Sequence, residues 1–208
     1  MSKEALVHIV DDDPAIRNSL RMVMELASLP ALAYASAEEY LEDGRQSLPG
    51  CIVLDLRMRG MGGLELLQRL RSEGNPIPVI IISAHADVPT TVSGMKLGAV
   101  DVLQKPFEPK ALVEAVRRAL EKSIELQRQH AENQAIRQRL AALSPRELEL
   151  LELVVSGKSN KQIAVNMGIS IKTVANHRAN LMEKTGALNA ADLTRISMMA
   201  GVRSASAK

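Results

Sequence analysis

The sequence predicts a doubly wound α/β domain with a five-stranded parallel sheet, followed by a long helix and a smaller all-helical domain. Three observations predict this arrangement. Short apolar runs alternate with amphipathic segments in the first half, which is typical of a parallel sheet covered by helices. Residues 122–142 contain neither glycine nor proline, which favours a continuous helix. Further helical segments with recognisable start and stop signals occupy the remainder.

Five apolar runs are the predicted strands, and the segments between them are the predicted helices. Runs such as CIVL and VIII are continuously apolar, as central parallel strands covered on both faces should be. The strands are predicted over residues 5–10, 31–34, 51–55, 79–83 and 100–103. The helices are predicted near residues 15–27, 37–42, 64–72, 90–97 and 109–120.

Capping signals divide the second half into helices. Ser144, followed by proline and then by Glu147, has the pattern of a capping box. A short helix is predicted over residues 160–167, and a tight turn separates it from a longer helix over residues 170–185. A final helix is predicted from residue 189 to about residue 200.

These patterns divide the chain into four parts. Residues 1–121 form the α/β domain, residues 122–142 a helical linker and residues 143–203 the all-helical domain. Residues 204–208 are expected to be disordered. Gln127 and His130 interrupt any heptad pattern in the linker, so a solvated connecting helix is favoured over a coiled coil.

Length and composition limit the classes of protein to consider. The chain has 208 residues, 46% of them apolar, which suits one or two packed domains. No apolar run approaches the roughly 18 residues of a membrane span, and the N-terminus lacks the pattern of a signal peptide. Cys51 is the single cysteine and is expected to be a small core residue. We therefore expect a soluble cytoplasmic protein that makes no contact with a membrane.

Charge is distributed unevenly along the chain. Residues 1–121 contain 13 Lys and Arg against 17 Asp and Glu, whereas residues 122–208 contain 13 against 7. An acidic half joined to a basic half indicates two domains with different partners, and the basic half is a candidate for binding nucleic acid. Ordinary scatter of surface charge is the alternative explanation of this pattern taken alone.

Polar side chains follow the ends of several predicted strands. Asp11 and Asp12 end the first strand, Asp55 the third and Ser83 the fourth, and Lys105 follows the fifth. Because the carboxyl ends of parallel strands meet at one edge of a sheet, we expect these groups to lie together. Carboxylate oxygens are hard ligands that suit Mg²⁺, which also keeps waters and phosphate oxygens in its shell.

Each of these residues also has an ordinary structural explanation. The aspartates could cap helices or turns at strand ends, and Lys105 could be a surface lysine. Asp13, which precedes a proline, is predicted to be a helix N-cap without a metal role. Asp87 is likewise predicted to cap the next helix. The ordered set of four rim motifs favours the functional explanation.

The motifs VDDD, LDLRM, ISA and QKPF, with ADVPTTVSGMKLGAVD between the last two, resemble bacterial two-component response regulators of the FixJ/NarL type. Members of this family join a receiver domain to a LuxR-type helix-turn-helix, which SPRELELLELVVSGKSNKQIA and SIKTVANHRANLMEKTGA resemble. The resemblance covers nearly the whole chain. It implies a flavodoxin-like receiver with strand order 2-1-3-4-5.

The resemblance also implies a chemistry for the rim. Asp55 would accept a phosphoryl group from a phosphohistidine of a sensor histidine kinase. Lys105 would pair with the phosphate, the Ser83 hydroxyl would move in to hydrogen-bond it, and the Lys105-Pro106 peptide would be cis. Mg²⁺ would be held by Asp12 directly and by Asp11 through water. The full set of implied metal ligands is the carboxylates of Asp11, Asp12 and Asp55 and the backbone carbonyl of Arg57.

The helix-turn-helix pattern implies binding to the major groove of double-stranded promoter DNA. The predicted contact residues are Lys161, Lys172, Thr173, Asn176, His177, Arg178, Asn180 and Lys184. Asn176 can pair with adenine and Ala175 can touch a thymine methyl, while His177 contacts a phosphate or fills space. Residues 122–208 lack Phe, Tyr and Trp, which disfavours binding of RNA or single strands. One face of the helix pair should be buried through Ile163, Ala164, Met167, Ile169, Val174 and Leu181.

The function predicted is therefore regulation of transcription, in which phosphorylation at Asp55 controls dimerisation and DNA binding. The implied partners are the kinase, promoter DNA and a second copy of the chain, with RNA polymerase as a candidate further partner. A phosphatase on a similar fold is the enzymatic rival, but Arg57 stands where such enzymes carry a general acid, so the chain is predicted not to be an enzyme beyond slow self-dephosphorylation.

Two residues depart from the family pattern and support a third hypothesis. Val102 stands where receivers often have an aromatic residue that turns inward on activation. Arg59 stands where proline is common. A valine cannot swing a ring between exposed and buried positions. A DNA-binding protein that assembles without regard to phosphorylation therefore stays open as an alternative.

Overall fold

The computed structural model describes residues 5–44, 49–84 and 88–199. The chain divides into two compact units, Met1–Arg128 and Gln129–Lys208. The predicted cap at Asp87 and the predicted disordered tail, residues 204–208, lie outside the described residues. None of the helices in the described ranges is both long enough and apolar enough to cross a membrane.

Strands and helices alternate through the first unit, as predicted. Its strands are β1 (Leu6–Val10), β2 (Ala31–Tyr34), β3 (Gly50–Asp55), β4 (Val79–Ser83) and β5 (Asp101–Gln104). Its helices are α1 (Pro14–Leu26), α2 (Ala37–Glu42), α3 (Gly63–Ser72), α4 (Val88–Lys96) and the beginning of α5 (Pro109–Ala141). The observed strand and helix boundaries lie within two residues of the predicted ones, and α5 continues beyond residue 120 into the predicted helical linker.

The five strands form one parallel sheet in the order β2-β1-β3-β4-β5, which confirms the predicted fold. The register decides where the acidic residues lie. Val10 of β1 pairs with Leu54 of β3, so Asp11 and Asp55 follow side by side at the carboxyl edge. Two carboxylates that are 44 positions apart in the chain are therefore neighbours because of sheet pairing alone.

Side chains of the central strands alternate between two cores. On β3, Cys51 and Val53 face the core beneath α1 and α5, whereas Ile52 and Leu54 face the core beneath α2 and α3. Cys51 is fully buried, as predicted, and burial raises the pKa of its thiol to about 12. Because both faces are covered, these strands are continuously apolar in sequence.

Two glycines allow helices to approach the sheet closely. A Cβ on Gly63, the first residue of α3, would lie 2.2 Å from the carbonyl oxygen of Asp55. A Cβ on Gly94 of α4 would lie 2.4 Å from the Cδ1 atom of Ile81 on β4. The glycine at position 63 therefore lets α3 begin directly against the strand end that carries Asp55.

Helix α5 continues through the segment predicted as a linker. Ser123 lies in that segment but is buried, and its hydroxyl accepts a hydrogen bond of 3.0 Å from the backbone N–H of Gly50 at the start of β3. The first turns beyond residue 121 thus pack on the first unit, which extends to Arg128. This contact gives the backbone amide at the start of β3 a buried hydrogen-bond partner.

Up to residue 199, the second unit contains the end of α5 followed by α6 (Pro145–Val155), α7 (Asn160–Met167), α8 (Ile171–Thr185) and α9 (Ala190–Met199). The predicted buried face is confirmed, with Ile169 partly buried against the rest. Leu150, Leu193 and Ile196 of the flanking helices complete the core around it. The fold of this unit depends on packing of these apolar faces, because helices of 8 to 15 residues are marginal alone.

Local signals set the ends of these helices. Ser144 and Glu147 form the predicted capping box at α6, and Ser159 with Gln162 forms a second one at α7. Gly168 ends α7 in the left-handed conformation, with φ of 67°, which an L side chain rarely adopts. The Ser170 side chain then caps α8. The tight turn fixes the relation between α7 and α8.

Candidate functional site

The rim of the sheet brings together the three charged groups that the sequence predicts to be central. The Lys105 ammonium donates a hydrogen bond of 2.7 Å to Asp55 Oδ1 and another of 2.9 Å to Asp11 Oδ2. These residues come from the ends of β1 and β3 and from the loop after β5, so the parallel topology creates the cluster. The Lys105-Pro106 peptide is cis, as predicted.

Burial makes the charges of this cluster interdependent. Asp11 and Asp55 are 1% and 7% exposed, and the Lys105 side chain is 17% exposed. Burial raises the pKa of Asp11, although its hydrogen bonds from Lys105 and from the Asp13 N–H act in the opposite direction. Burial alone would lower the pKa of Lys105, but the hydrogen bonds to Asp55 and Asp11 and the charges of these carboxylates together raise it. The cluster therefore holds a protonated lysine between two acids.

Asp12 lies beside this pair and holds the loop after β3. Its Oδ2 atom accepts a hydrogen bond of 3.1 Å from the Arg59 N–H, and the Arg59 Nε atom lies 3.9 Å from the same oxygen. In the same loop the Arg57 N–H donates to Asp55 Oδ2 at 2.7 Å. Asp13 caps α1 through the N–H groups of Ala15 and Ile16, as predicted. Asp12 and Asp55 thus hold the backbone of the loop that follows Asp55, the candidate phosphoacceptor.

Ser83 completes the rim at the end of β4. It is 2% exposed, and its carbonyl accepts a hydrogen bond of 2.8 Å from the Lys105 N–H. Sheet pairing therefore connects the backbones of the predicted serine and lysine directly. This bond joins the loop that begins at Lys105 to the end of β4.

The sequence pattern does not predict two further contacts at the rim. Arg17 donates from Nη1 to the carbonyl oxygen of Asp11 at 2.7 Å, and Glu38 Oε1 accepts from the Met61 N–H at 3.0 Å. Arg17 lies one turn into the helix that follows the acidic cluster, so its position in the sequence could have indicated this contact. Glu38 and Met61 are 23 residues apart and have no such signal.

Helix α8 of the second unit presents most of the predicted DNA contacts to solvent. Lys172, Asn176 and Asn180 are exposed, as is Lys161 on α7, whereas His177 is half-buried. Val174, Leu181 and Thr185 on the opposite face are buried. The helix is therefore amphipathic in the sense needed for an outward surface that contacts a partner.

Three of the predicted DNA contacts bond instead to protein groups. Thr173 shares a hydrogen bond of 2.8 Å with Ser170 in the cap of α8. Arg178 donates from Nη1 to Asn160 Oδ1 at 2.9 Å, which connects α8 to α7. Lys184 donates to Glu147 Oε1 at 2.6 Å, which connects α8 to α6, and with the Ser144 contacts this lowers the pKa of Glu147 to about 2. Contact with DNA by these three residues stays a prediction.

Comparisons with known proteins match both units. The model of the response regulator receiver domain matches residues 7–117, and that of bacterial regulatory proteins of the luxR family matches residues 141–197. The transcriptional regulatory protein FixJ of Azorhizobium caulinodans is 43% identical over 202 residues, which cover 97% of this chain and 96% of that protein. The chain belongs to the response regulators of this family.

Other relatives and solved structures agree with this assignment. FixJ of Rhizobium meliloti is 40% identical over 195 residues, covering 94% of this chain and 96% of that protein. The response regulator StyR superposes with a TM-score of 0.81 at 37% identity, covering 94% of this chain and 98% of that one. Full-length FixJ from B. japonicum gives 0.58 at 37% identity, with 97% and 99% covered. The chain is a FixJ-like regulator of transcription in two-component signalling.

The acidic rim of this response regulator suits a magnesium ion in its chemistry. Within the described ranges, no three His, Cys, Asp or Glu side chains converge closely enough to hold an ion unaided. Mg²⁺ is usually bound through one or two carboxylates, with waters and phosphate oxygens completing its octahedral shell. Asp11, Asp12 and Asp55 supply carboxylates of that kind at one edge of the sheet. The donor set therefore fits magnesium bound together with a phosphoryl ligand.

The two departures from the family pattern have different surroundings in the receiver. Val102 on β5 is half-buried and packs against the core beneath α2 and α3. Arg59 projects into solvent with 99% of its side chain exposed, while its backbone bonds to Asp12. The valine is therefore part of the packing, whereas the arginine is an exposed cation beside the rim.

Proposed function

We propose that Asp55 is the phosphoacceptor and that its phosphorylation controls dimerisation and DNA binding. The observation that carries this proposal is the position of the Lys105 ammonium, which bonds to both Asp55 and Asp11. A largely buried lysine between two carboxylates would stabilise added negative charge at this position. The same proposal includes the division of the chain into a receiver over residues 1–121, a linker over residues 122–142 and a DNA-binding domain over residues 143–203.

Phosphoryl transfer would proceed in one displacement at Asp55. A carboxylate oxygen of Asp55 attacks the phosphorus of a kinase phosphohistidine, the P–N bond breaks, and its electron pair stays on the leaving imidazole. The product is an acyl phosphate. Magnesium, held by Asp11, Asp12, Asp55 and the Arg57 carbonyl, would supply neutralisation of charge on the phosphoryl oxygens.

Lys105 and Ser83 would respond to the new group. Lys105 now bonds to Asp55 Oδ1, and it would pair with a phosphoryl oxygen once that carboxylate is phosphorylated. Ser83, at the end of the neighbouring strand, would donate its hydroxyl to another phosphoryl oxygen. Movement of these two groups would shift the equilibrium between two conformations of the receiver that expose different surfaces.

The dimer surface is expected on α4, β5 and α5. Val92 and Met95 of α4 are 42% and 49% exposed, and Arg118 of α5 bonds to Asp101 of β5 at 2.8 Å. Exposed apolar side chains beside charged pairs suit a reversible association between copies. A dimer would bring two copies of α8 to half-sites about one helical turn apart, near 34–36 Å.

The enzymatic rival lacks a group that it needs. A phosphatase that forms an aspartyl phosphate generally carries a second aspartate two residues after the nucleophile. That residue is Arg57, whose exposed side chain cannot act as a general acid at neutral pH. We propose only slow hydrolysis of the acyl phosphate, and p-nitrophenyl phosphate with Mg²⁺ should give no sustained turnover.

The test compares the full-length protein before and after treatment with acetyl phosphate and Mg²⁺, with Asp55→Asn as the matched control. We expect the treated protein alone to gain mass as a dimer in light scattering and to bind promoter DNA more tightly. Unchanged affinity and unchanged mass in both proteins would favour the hypothesis of a constitutive DNA-binding protein. Beryllofluoride with Mg²⁺, a mimic of the phosphoryl group, provides a second route to the same comparison.

A further inference from the structure

Helix α8 carries an apolar stripe on its outward face that the core of the second unit does not cover. Ile171 is 52% exposed, and Ala175 and Ala179 are exposed along the same face at spacings of four residues. The core side of the helix is a separate face that contains Val174 and Leu181. This face therefore presents methyl groups, from Ile171 in the first turn and from the two alanines that follow it.

Two amide side chains border this stripe. Asn176 and Asn180 are exposed and also lie four residues apart. Within the described part of the chain, neither amide forms a hydrogen bond to another side chain of the protein. An asparagine amide offers one donor group and one acceptor, which is the pattern required for adenine in the major groove.

The cations of α8 are not equally placed to read bases. Arginine and lysine recognise guanine through its O6 and N7 acceptors. Arg178 is held by Asn160 of α7, and Lys184 is held by Glu147 of α6. Lys172 in the first turn is exposed and lies beside the stripe, where it can reach a phosphate. Apart from Lys172, the outward face between Ile171 and Asn180 therefore presents methyl groups and amides rather than positive charge.

We propose that α8 selects A·T pairs, with Ile171, Ala175 and Ala179 contacting thymine methyls and Asn176 and Asn180 pairing with adenine. The inference rests on the proposed binding of duplex DNA, since it names the base pairs that this surface takes. Lys172 and Lys161 provide the positive charge that attracts the duplex without reading sequence. Ile171 is the decisive residue, because an apolar side chain can distinguish bases in the major groove only through the thymine methyl.

The experiment uses the full-length protein treated with acetyl phosphate and Mg²⁺, and duplexes selected by it from a randomised library. In the selected duplex, each thymine is then replaced in turn by uracil, which removes only the 5-methyl group. Affinities are measured for the unmodified protein, Ile171→Ala and Val165→Ala. Val165 is the matched control, because it is β-branched and 77% exposed but lies on α7, outside the stripe.

We expect A·T pairs at the positions of each half-site that α8 protects from chemical modification. Replacement by uracil of the thymine that Ile171 contacts in each half-site should lower the affinity about fourfold, the value of one buried methyl group. Thymines that face the shorter side chains of Ala175 and Ala179 should respond less. Ile171→Ala should remove that sensitivity, and Val165→Ala should retain it.

Different failures identify different errors. Guanine at the protected positions, or equal sensitivity to uracil in the unmodified protein and Ile171→Ala, would overturn this inference and leave duplex binding intact. Failure to select any duplex, with the phosphorylated and the untreated protein alike, would overturn the proposed function and this inference with it.

Discussion

The receiver rim and helix α8, the two proposed functional sites of this response regulator, differ in how their charged residues are placed. At the receiver rim, Lys105 and its carboxylate partners are largely buried and bonded to each other. On α8, the amides and Lys172 remain exposed, while Arg178 and Lys184 bond to other helices. The charged groups of the rim are paired with one another. On α8, some polar side chains bond to the protein and others stay exposed.

This difference corresponds to two kinds of chemistry. A phosphoryl acceptor needs charge that is positioned before the reaction, because such positioning costs no reorganisation during it. A DNA-reading surface needs donors and acceptors that are free to pair with bases, on a helix held rigidly by its other contacts. The bonds of Arg178 to Asn160 and of Lys184 to Glu147 hold α8 to its neighbours, and either side chain would have to leave its partner to contact a phosphate.

Removal of Lys105 should have the largest effect. Lys105→Met leaves Asp11 and Asp55 without their cation, which should cost about 2–4 kcal/mol of unfolding free energy at neutral pH, allowing for some remaining solvent contact. Urea unfolding of the full chain without metal measures it. The double variant Asp11→Asn/Lys105→Met should recover part of the loss. If Lys105→Met were as stable as the unmodified protein, pairing of Lys105 with Asp11 and Asp55 would not stabilise the fold.

Crowding the end of β3 should have the next largest effect. In Gly63→Ala the new Cβ would lie 2.2 Å from the Asp55 carbonyl oxygen, so α3 must shift, at a cost of about 2–3 kcal/mol. Phosphorylation by acetyl phosphate should slow as well. Gly62→Ala is the matched control, because its Cβ would meet its nearest atom at 3.7 Å. Equal stability and equal phosphorylation rates in the two variants would contradict the close approach of α3.

The pair that holds α8 to α6 should give the second unit a pH dependence. The folded-state pKa of Glu147 is lowered to about 2 from 4.5, so its contribution to stability is present above 4.5 and disappears as pH falls through about 2. Glu147→Gln should therefore weaken protection of α6 and α8 against hydrogen exchange at pH 7. Near pH 2 the two proteins should be alike. A difference that is independent of pH would assign the stabilisation to packing.

The smallest expected effect is a difference between Lys172 and Lys184 of α8 in the salt dependence of DNA binding. Lys172→Ala should reduce the slope of log affinity against log salt concentration by about 1, with no change in unfolding. Lys184→Ala should lower the stability of the second unit and leave that slope unchanged, because its ammonium is bonded to Glu147. Binding titrations at several salt concentrations measure both slopes. Equal changes in slope would show that Lys184 exchanges its carboxylate for a phosphate when DNA binds.

The fold and the rim were accessible to sequence reasoning for a topological reason. Parallel strands end at one edge, so a polar residue after each strand is placed near the others without knowledge of side-chain contacts. The Asp11–Asp55 neighbourhood follows from strand pairing, and the cap at Ser144 follows from local chemistry. The cis Lys105-Pro106 peptide was implied by the family pattern.

Contacts between elements that are distant in sequence could not be predicted in the same way. The bonds of Arg178 to Asn160 and of Lys184 to Glu147 depend on how three helices pack and which rotamers their side chains take. The buried contact between Ser123 and Gly50 joins residues 73 positions apart. Sequence spacing therefore located the outward face of α8 but did not show which of its cations the protein itself uses.

The most direct measurement concerns the position of the phosphoryl group. The full-length protein is incubated with Mg²⁺ and acetyl phosphate, its intact mass is measured, and the modified residue is located by peptide mapping after trapping of the acyl phosphate. One phosphoryl group on Asp55, and none in Asp55→Asn or without Mg²⁺, is the expected result. A phosphoryl group on another residue, or none under conditions that phosphorylate a control receiver, would contradict the role of the rim.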